Sequence, residues 1–184
     1  MSDTNDLVAF LADAWRHLAE GVADADAPAR FPTFATISPD GVPEARTVAL
    51  RHADQNVALV EVHTDIDTNK VRALRKAPIA ALHVWVPRAR LQIRMTAEVD
   101  IRTGPGVEAE WNKVPSGSRV SYGTDPVPGT PIGHVYDYAK PVVRDRFAVL
   151  RCLLTDIDLV HLDDQHRRAA YQRADDWVGT WVAP

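Results

Sequence analysis

Leu91-Gln92-Ile93-Arg94-Met95-Thr96-Ala97-Glu98-Val99 alternates apolar and polar side chains without a break. That is the period of a strand with one buried and one solvated face. Leu91, Ile93, Met95, Ala97 and Val99 share the apolar face, and Gln92, Arg94, Thr96 and Glu98 lie opposite. The pattern predicts a strand over about 91–102. Pro87-Arg88-Ala89-Arg90 just before it reads as a tight connection to another strand, 79–86. Moving outward, further strands are predicted at 31–38, 43–52 and 57–64, and a long one at 145–160. Pro39-Asp40-Gly41 supplies a turn in which proline presets φ and glycine tolerates positive φ. One helix interrupts the series from about 67 to 77, where Pro78 stops it. The reading is a mainly β, α+β fold: an antiparallel meander with flanking helices.

The remaining segments fit around that sheet. Leu7, Phe10, Leu11, Ala14 and Leu18 recur at helical spacing and predict a helix over 4–20, with Thr4 to cap it and Gly21 to end it. Residues 104–113 read as a brief helix, and 114–141 as a long irregular loop rich in Pro and Gly. Loops of that length are usually functional or mobile. A polar segment, 163–173, precedes a last strand at 177–182. No internal repeat or second domain is visible, so 184 residues make a single domain.

Composition narrows the functional classes. The apolar share of 46% and charged share of 25% are those of an ordinary globular chain. A net charge of −4 provides no field to recruit nucleic acid or an anionic membrane. No apolar run is long enough to cross a bilayer. An acidic start, Asp3 and Asp6, without a basic region before an apolar run is not a signal peptide, which makes the cytoplasm the expected compartment. The single cysteine, Cys152, excludes an intrachain disulfide and reads as a small buried hydrophobe.

Three placements resist a purely structural reading. Alternation puts Arg46 on the same face as Val48 and Leu50, where a guanidinium needs a compensating anion or carboxylate, or an exposed strand end to reach water. With Asp67 as N-cap, Thr68, Asn69 and Lys70 fill the first turn of the helix, and a cation there opposes the helix dipole. A bound anion would reconcile it: free N–H groups, the Thr68 hydroxyl and the Lys70 ammonium would converge on one phosphate. Gln92 both donates and accepts, which suits the edge of a heteroaromatic ring, although taken alone a solvated strand face is the stronger account of it.

In order, Arg46-Thr47-Val48-Ala49-Leu50-Arg51, His63-Thr64, Asn69-Lys70 ahead of Leu74 and Ala77-Pro78, Trp85, and Leu91-Gln92-Ile93-Arg94 resemble the FMN signature of the pyridoxamine 5′-phosphate oxidase family. That signature runs roughly R-x-V-x-L-K, Y/F-T, S-x-K, R-Q-V-R. The tail, Gln165-His166-Arg167-Arg168-Ala169-Ala170-Tyr171-Gln172-Arg173 and the closing Trp181-Val182-Ala183-Pro184, is also similar. The resemblance covers about 40–184 and is strongest over 43–100. It implies a split β-barrel homodimer with two FMN molecules at the subunit interface. Arg46 and Lys70 would hold the FMN phosphate, with Thr68 or Asn69. The backbone of Thr47, Val48 and Ala49 and the pair His63-Thr64 would run along the flavin. Gln92 would bond the ring edge, and Arg168 would approach it from the tail.

The departures concern the substrate. Arg51 stands where the family has a lysine contact to pyridoxal phosphate. Glu110 or Trp111, and Val114, stand where it has a tyrosine and an arginine. Ser118 is the surviving serine contact, and of the tail motif R-L-H-D-R only the terminal arginine remains in 163–168. The FMN half of the site is therefore expected intact and the phosphate-gripping half altered. The resemblance implies an FMN-dependent oxidoreductase moving hydride from a substrate carbon to flavin N5. No catalytic acid or base emerges; His134 enters only by lying in the long loop. The alternatives are a flavin-binding sensor or carrier without turnover, a reductase using a deazaflavin or nicotinamide partner, and a haem-related protein on the same barrel.

Two other motifs compete. Gly104-Pro105-Gly106-Val107-Glu108-Ala109 matches a dinucleotide fingerprint, but its flanking strands read as antiparallel and Pro105 removes an N–H that the pyrophosphate would need. His161, Asp163, Asp164 and His166 could supply metal ligands, yet such a loop is more often solvated, so no metal is expected. No nucleophile elbow accompanies the serines.

Overall fold

The alternating runs pair into one antiparallel sheet of nine strands in the computed structural model, which describes residues 5–184. The strands are β1 (Thr33–Ile37), β2 (Pro43–Thr47), β3 (Leu50–Asp54), β4 (Leu59–Asp65), β5 (Ile79–Val86), β6 (Leu91–Thr103), β7 (Phe147–His161), β8 (Arg167–Gln172) and β9 (Thr180–Val182). Their order is β2-β1-β5-β6-β7-β4-β3, with β8 on β7 and β9 on β8. The spine is β6 and β7, which pair from Leu91 opposite His161 to Thr103 opposite Ala148. The first half of β7 also pairs with β4 and its second half with β8.

The run predicted as one strand over 43–52 is two. β2 pairs with β1 and β3 with β4, so consecutive pieces of chain occupy opposite ends of the strand order. Only Val48 and Ala49 separate them, and the sheet must roll up to bring its ends together. This is the split barrel. Its lumen is filled by Phe34, Leu82, Met95, Ile157 and Tyr171, which lie in one cross-strand row, and by Leu50, Val62 and Leu150.

Three helices flank the barrel: α1 (Leu7–Ala23), α2 (Asn69–Lys76) and α3 (Glu108–Lys113). Phe10, Leu11, Ala14, Trp15 and Leu18 of α1 join the core. The Tyr171 hydroxyl donates to the Leu7 carbonyl at 2.8 Å, and the Phe10 and Trp181 rings stack at 5.7 Å. Asp6 caps α1 through the Ala9 amide; the predicted cap, Thr4, lies outside the described residues. Gly21 does not end the helix but sits within it. The Ala29 backbone packs where a Cβ would stand, 2.5 Å away, so glycine serves close approach.

Two further expectations are corrected. The polar segment 163–173 contains β8, whose buried side chains are only Ala169 and Tyr171. The last strand begins at Thr180, because Asp176 and Trp177 turn through positive φ. Within the long loop, residues 116–121 form a 3₁₀ turn.

Candidate functional site

Two recesses flank the end of β4: His63 lines one, and Thr64, buried, touches the cluster of α2 residues that lines the other. Thr64 lies behind the first recess, on the side of α2. The Lys70 ammonium donates to the Thr64 hydroxyl at 2.8 Å and to the Thr68 hydroxyl at 3.3 Å. Thr68, not the predicted Asp67, is the N-cap of α2, and its hydroxyl donates back to the Asp65 carbonyl at 2.9 Å. Asp67 instead closes the preceding turn, its amide on Asp65 Oδ1.

Arg46 projects from β2 beside this cluster. It sits opposite fully buried Phe34, so the predicted apolar-face placement is observed. Glu44 provides a compensating carboxylate at 2.8 Å, and the Thr36 hydroxyl and the Phe34 and Glu44 carbonyls take further hydrogen bonds. Arg46, Thr68, Asn69 and Lys70 line one open recess of about 510 Å³ with Pro128 and Gly129 of the long loop.

Lys70 makes no ion pair among the described residues, and hydroxyls are its hydrogen-bond partners. Burial first, then the charge of Arg46, pushes its pKa below the ordinary lysine value, with Asp65 opposing. A half-buried cation beside a second cation, at a helix N-terminus, is the environment that a phosphate would relieve. The donor set fits the FMN phosphate.

His63, the preceding residue, faces the second recess, of about 400 Å³, together with Arg51, Glu61, Glu110, Lys113 and Tyr122. A β-bulge between Leu50 and His52 re-aims Arg51, so that Arg51 and His52 both reach it. Its inner wall is a satellite core in which Phe147 meets Tyr122, His63 and Trp111 edge-on, at 4.9, 5.0 and 5.3 Å. Burial is the main reason that the His63 pKa is lowered from 6.5 to about 4; Arg51 and Lys113 add to it.

The neutral imidazole has a measurable consequence. Between pH 6.5 and about 4 the unfolded chain binds a proton that native His63 refuses. Its contribution to stability is therefore complete above pH 6.5 and is lost as pH falls through that window. Urea unfolding at a series of pH values should show a shallower acid loss for His63→Gln than for the wild type. Parallel curves would mean that His63 titrates normally.

The other predicted residues lie elsewhere in the protomer. Thr47, Gln92 and Arg168 belong to the outer strand face, with exposed Trp85 beside Gln92. Arg168 is held by Asp158 at 2.8 Å, and Arg94 shares that carboxylate at 2.7 Å. Val48 is buried between β2 and β3, with its amide on the Pro32 carbonyl at 3.1 Å and Ala49 next to it. Ser118 is exposed on the 3₁₀ turn, outside the lining of the second recess, and His134 is exposed in the long loop.

Sequence reasoning missed Lys113, Glu61 and Arg151 in the second recess and Pro128-Gly129 in the first. Glu61 and Arg151 meet at 3.2 Å only because β4 pairs with β7. Lys113 had a usable signal as the last-turn cation of a helix beside a predicted functional loop.

Comparison with known proteins agrees with this geometry. The family described as pyridoxamine 5′-phosphate oxidase, FMN-binding domain, matches residues 12–103. No curated protein matches the chain. Among solved structures, a pyridoxamine 5′-phosphate oxidase-related, FMN binding protein from Nostoc punctiforme superposes with a TM-score of 0.76 at 22% identity, over 94% of this chain and 96% of that one. PhzG from Burkholderia lata, in complex with tetrahydrophenazine-1-carboxylic acid, gives 0.71 at 19% identity, over 99% and 95%. A Clostridium acetobutylicum protein related to general stress protein 26 gives 0.61 at 12% identity, over 92% and 98%.

Proposed function

The chain belongs to the pyridoxamine 5′-phosphate oxidase FMN-binding family, and from that membership we propose that it works as an FMN-dependent oxidoreductase. The observation that carries the reading is the Lys70 ammonium, half-buried between hydroxyls and beside Arg46, without a carboxylate of its own. Bound FMN supplies a ring that accepts or releases hydride at N5. Lys70 and Thr68 would hold the phosphate, with the Lys70 ammonium oriented by Thr64 and Arg46 fixed at the flank by Glu44 and Thr36. The Asn69 side chain positions the first turn of α2 against Gly129 of the long loop. The backbone of Thr47–Ala49, which follows Arg46, would run along the flavin, and the recess that His63 lines at the end of β4 would take the substrate.

We further propose a single-domain homodimer. Thr47, Gln92 and Arg168 occupy an outer sheet face apart from the Lys70 cluster, and exposed Trp85 and Ile79 both lie on β5, beside the strand of Gln92. A second copy would bring that face to the first protomer's flavin. No described helix is long and apolar enough to cross a membrane.

The first test is the absorbance spectrum and mass of the ligand that copurifies, followed by a screen of amine and alcohol substrates that includes pyridoxamine phosphate. Lys70→Met keeps the stem and removes the charge. One charge-assisted hydrogen bond is worth about 1.5–3 kcal/mol, so FMN affinity should fall roughly 10- to 150-fold. Flavin content equal to wild type in Lys70→Met and in Arg46→Ala would refute the phosphate assignment.

A further inference from the structure

The turn between β4 and α2 is bonded to the Lys70 cluster and to the long loop at once, and both bonds go through Asp65. Its carbonyl accepts the Thr68 hydroxyl at 2.9 Å and the Thr64 hydroxyl at 3.3 Å, and the Lys70 ammonium donates to the same two hydroxyls. Its carboxylate accepts the Gly123 amide at 2.8 Å and the Arg146 guanidinium at 3.0 Å. The Ile66 amide adds a bond to the Arg146 carbonyl at 2.8 Å. One residue, 4% exposed, therefore carries the proposed phosphate turn on its carbonyl and the root of the long loop on its carboxylate. Lys70 also acts on that carboxylate through space.

Beyond Gly123 the chain leaves the barrel and returns through a narrow neck. Asp125 and Ala139 exchange amide-to-carbonyl hydrogen bonds at 2.9 and 2.7 Å, and the Val143 amide donates to the Tyr122 carbonyl at 2.9 Å. None of residues 126–138 is buried, so this Ω-loop is held chiefly by its neck. It nevertheless belongs to both recesses: Pro128 and Gly129 line the first, and Tyr122, at the root, lines the second. A phosphate on Lys70 and Thr68 would change both supports of Asp65. It fixes the hydroxyl that the Asp65 carbonyl accepts, which holds the turn in one conformation. It also takes up the lysine charge, which leaves the carboxylate to Arg146 and Gly123. Both changes tighten the neck, and ordering already achieved by a first ligand lowers the entropic cost of closing over a second.

We propose that Asp65 couples phosphate occupancy of the first recess to closure of the loop 122–143, so that loading the cofactor sets the wall of the second recess. The regulation this builds in is an order of binding, cofactor first and substrate after it. The inference rests on the FMN phosphate reading above, and its test separates the two.

The test is amide hydrogen exchange on the purified full-length protein, freed of flavin and then saturated with FMN, with riboflavin or with inorganic phosphate. FMN and inorganic phosphate should slow the Gly123, Asp125, Ala139 and Val143 amides by roughly 5- to 150-fold, the usual range of coupling between two sites. Riboflavin, which lacks the phosphate, should leave them near their rates in the free protein. Asp65→Asn keeps the shape of the side chain without its charge; it should bind FMN and lose the effect on these amides. Coupling is reciprocal, so Ala139→Pro, which removes one of the two neck hydrogen bonds in an exposed segment, should weaken FMN by the same factor. That second variant decides the matter if Asp65→Asn does not fold. The coupling is overturned by FMN that binds without slowing these amides, by riboflavin that slows them as much, by Asp65→Asn protein that keeps the full effect, or by wild-type FMN affinity in Ala139→Pro. Each of those results leaves FMN binding in place. A protein that binds no FMN but whose loop still answers to inorganic phosphate would sink the flavin reading alone, and one that binds neither would sink both.

Discussion

Arg146→Ala is expected to remove about 3–5 kcal/mol of folding stability, the cost of leaving a buried charge without its partner. The Asp65 carboxylate is 3% exposed and the Arg146 side chain 15%, and they meet at 3.0 Å. Arg146 also reaches Asp67 at 3.0 Å and the Thr124 carbonyl at 2.8 Å. Asp65 accepts the Gly123 and Asp67 amides, each at 2.8 Å. The pair thus fastens the start of the long loop to the turn between β4 and α2. Without the guanidinium, Asp65 keeps two amide donors and the field of Lys70 but no ion-pair partner. Urea unfolding should register the loss, and exchange of the Gly123 amide should accelerate beyond that of the β6–β7 spine. The double variant Asp65→Leu, Arg146→Met removes both charges and should recover part of the stability, as replacement of a buried pair by apolar residues often does. A loss under about 1 kcal/mol for Arg146→Ala would mean that the pair behaves as a solvated surface bridge.

Phe147→Ala should cost a comparable amount, about 3–5 kcal/mol, for a different reason. Phe147 is 1% exposed and sits at the centre of the satellite core of Val107, Trp111, Val114, Tyr122 and Val149. That cluster is too small to close over a deleted ring. Phe147 also supplies the edge contact on His63 at 5.0 Å, so its removal admits water beside the imidazole. The His63 pKa should then rise from about 4 toward 6.5, which an NMR titration of the ring would follow. Phe147→Leu preserves most of the volume and should cost less than about 1.5 kcal/mol. If both variants cost the same, the cluster is not close-packed, and the account of its role fails.

Most of the sheet was legible because period-2 alternation is a local property. The β5–β6 hairpin stands where 79–102 predicted it. The division of 43–52 was not legible, since Arg46 and Leu50 continue one alternation while their partners, Phe34 and Val62, belong to opposite ends of the sheet. β8 was hidden because only Ala169 and Tyr171 among its residues are buried, and its arginines and glutamine read as loop. In the first recess, Thr68, Asn69 and Lys70 could be gathered because they are consecutive, and the family resemblance set Arg46 beside them. Pro128-Gly129 and the second recess depend on long-range packing. No spacing rule carries Arg151 to Glu61 or Lys113 to Arg51.

The covalent joint at Val48 and Ala49 has a consequence for how the protein behaves in a crowd. An open sheet ends in two rows of unpaired N–H and C=O groups, each a template on which a neighbour's backbone can polymerise. Here the two terminal strands, β2 and β3, each pair on one side only, but they are successive pieces of the same thread, held by a two-residue tie, and each is five residues long. The division that shapes the barrel also keeps its open edges short, which makes them poor templates for a fibril.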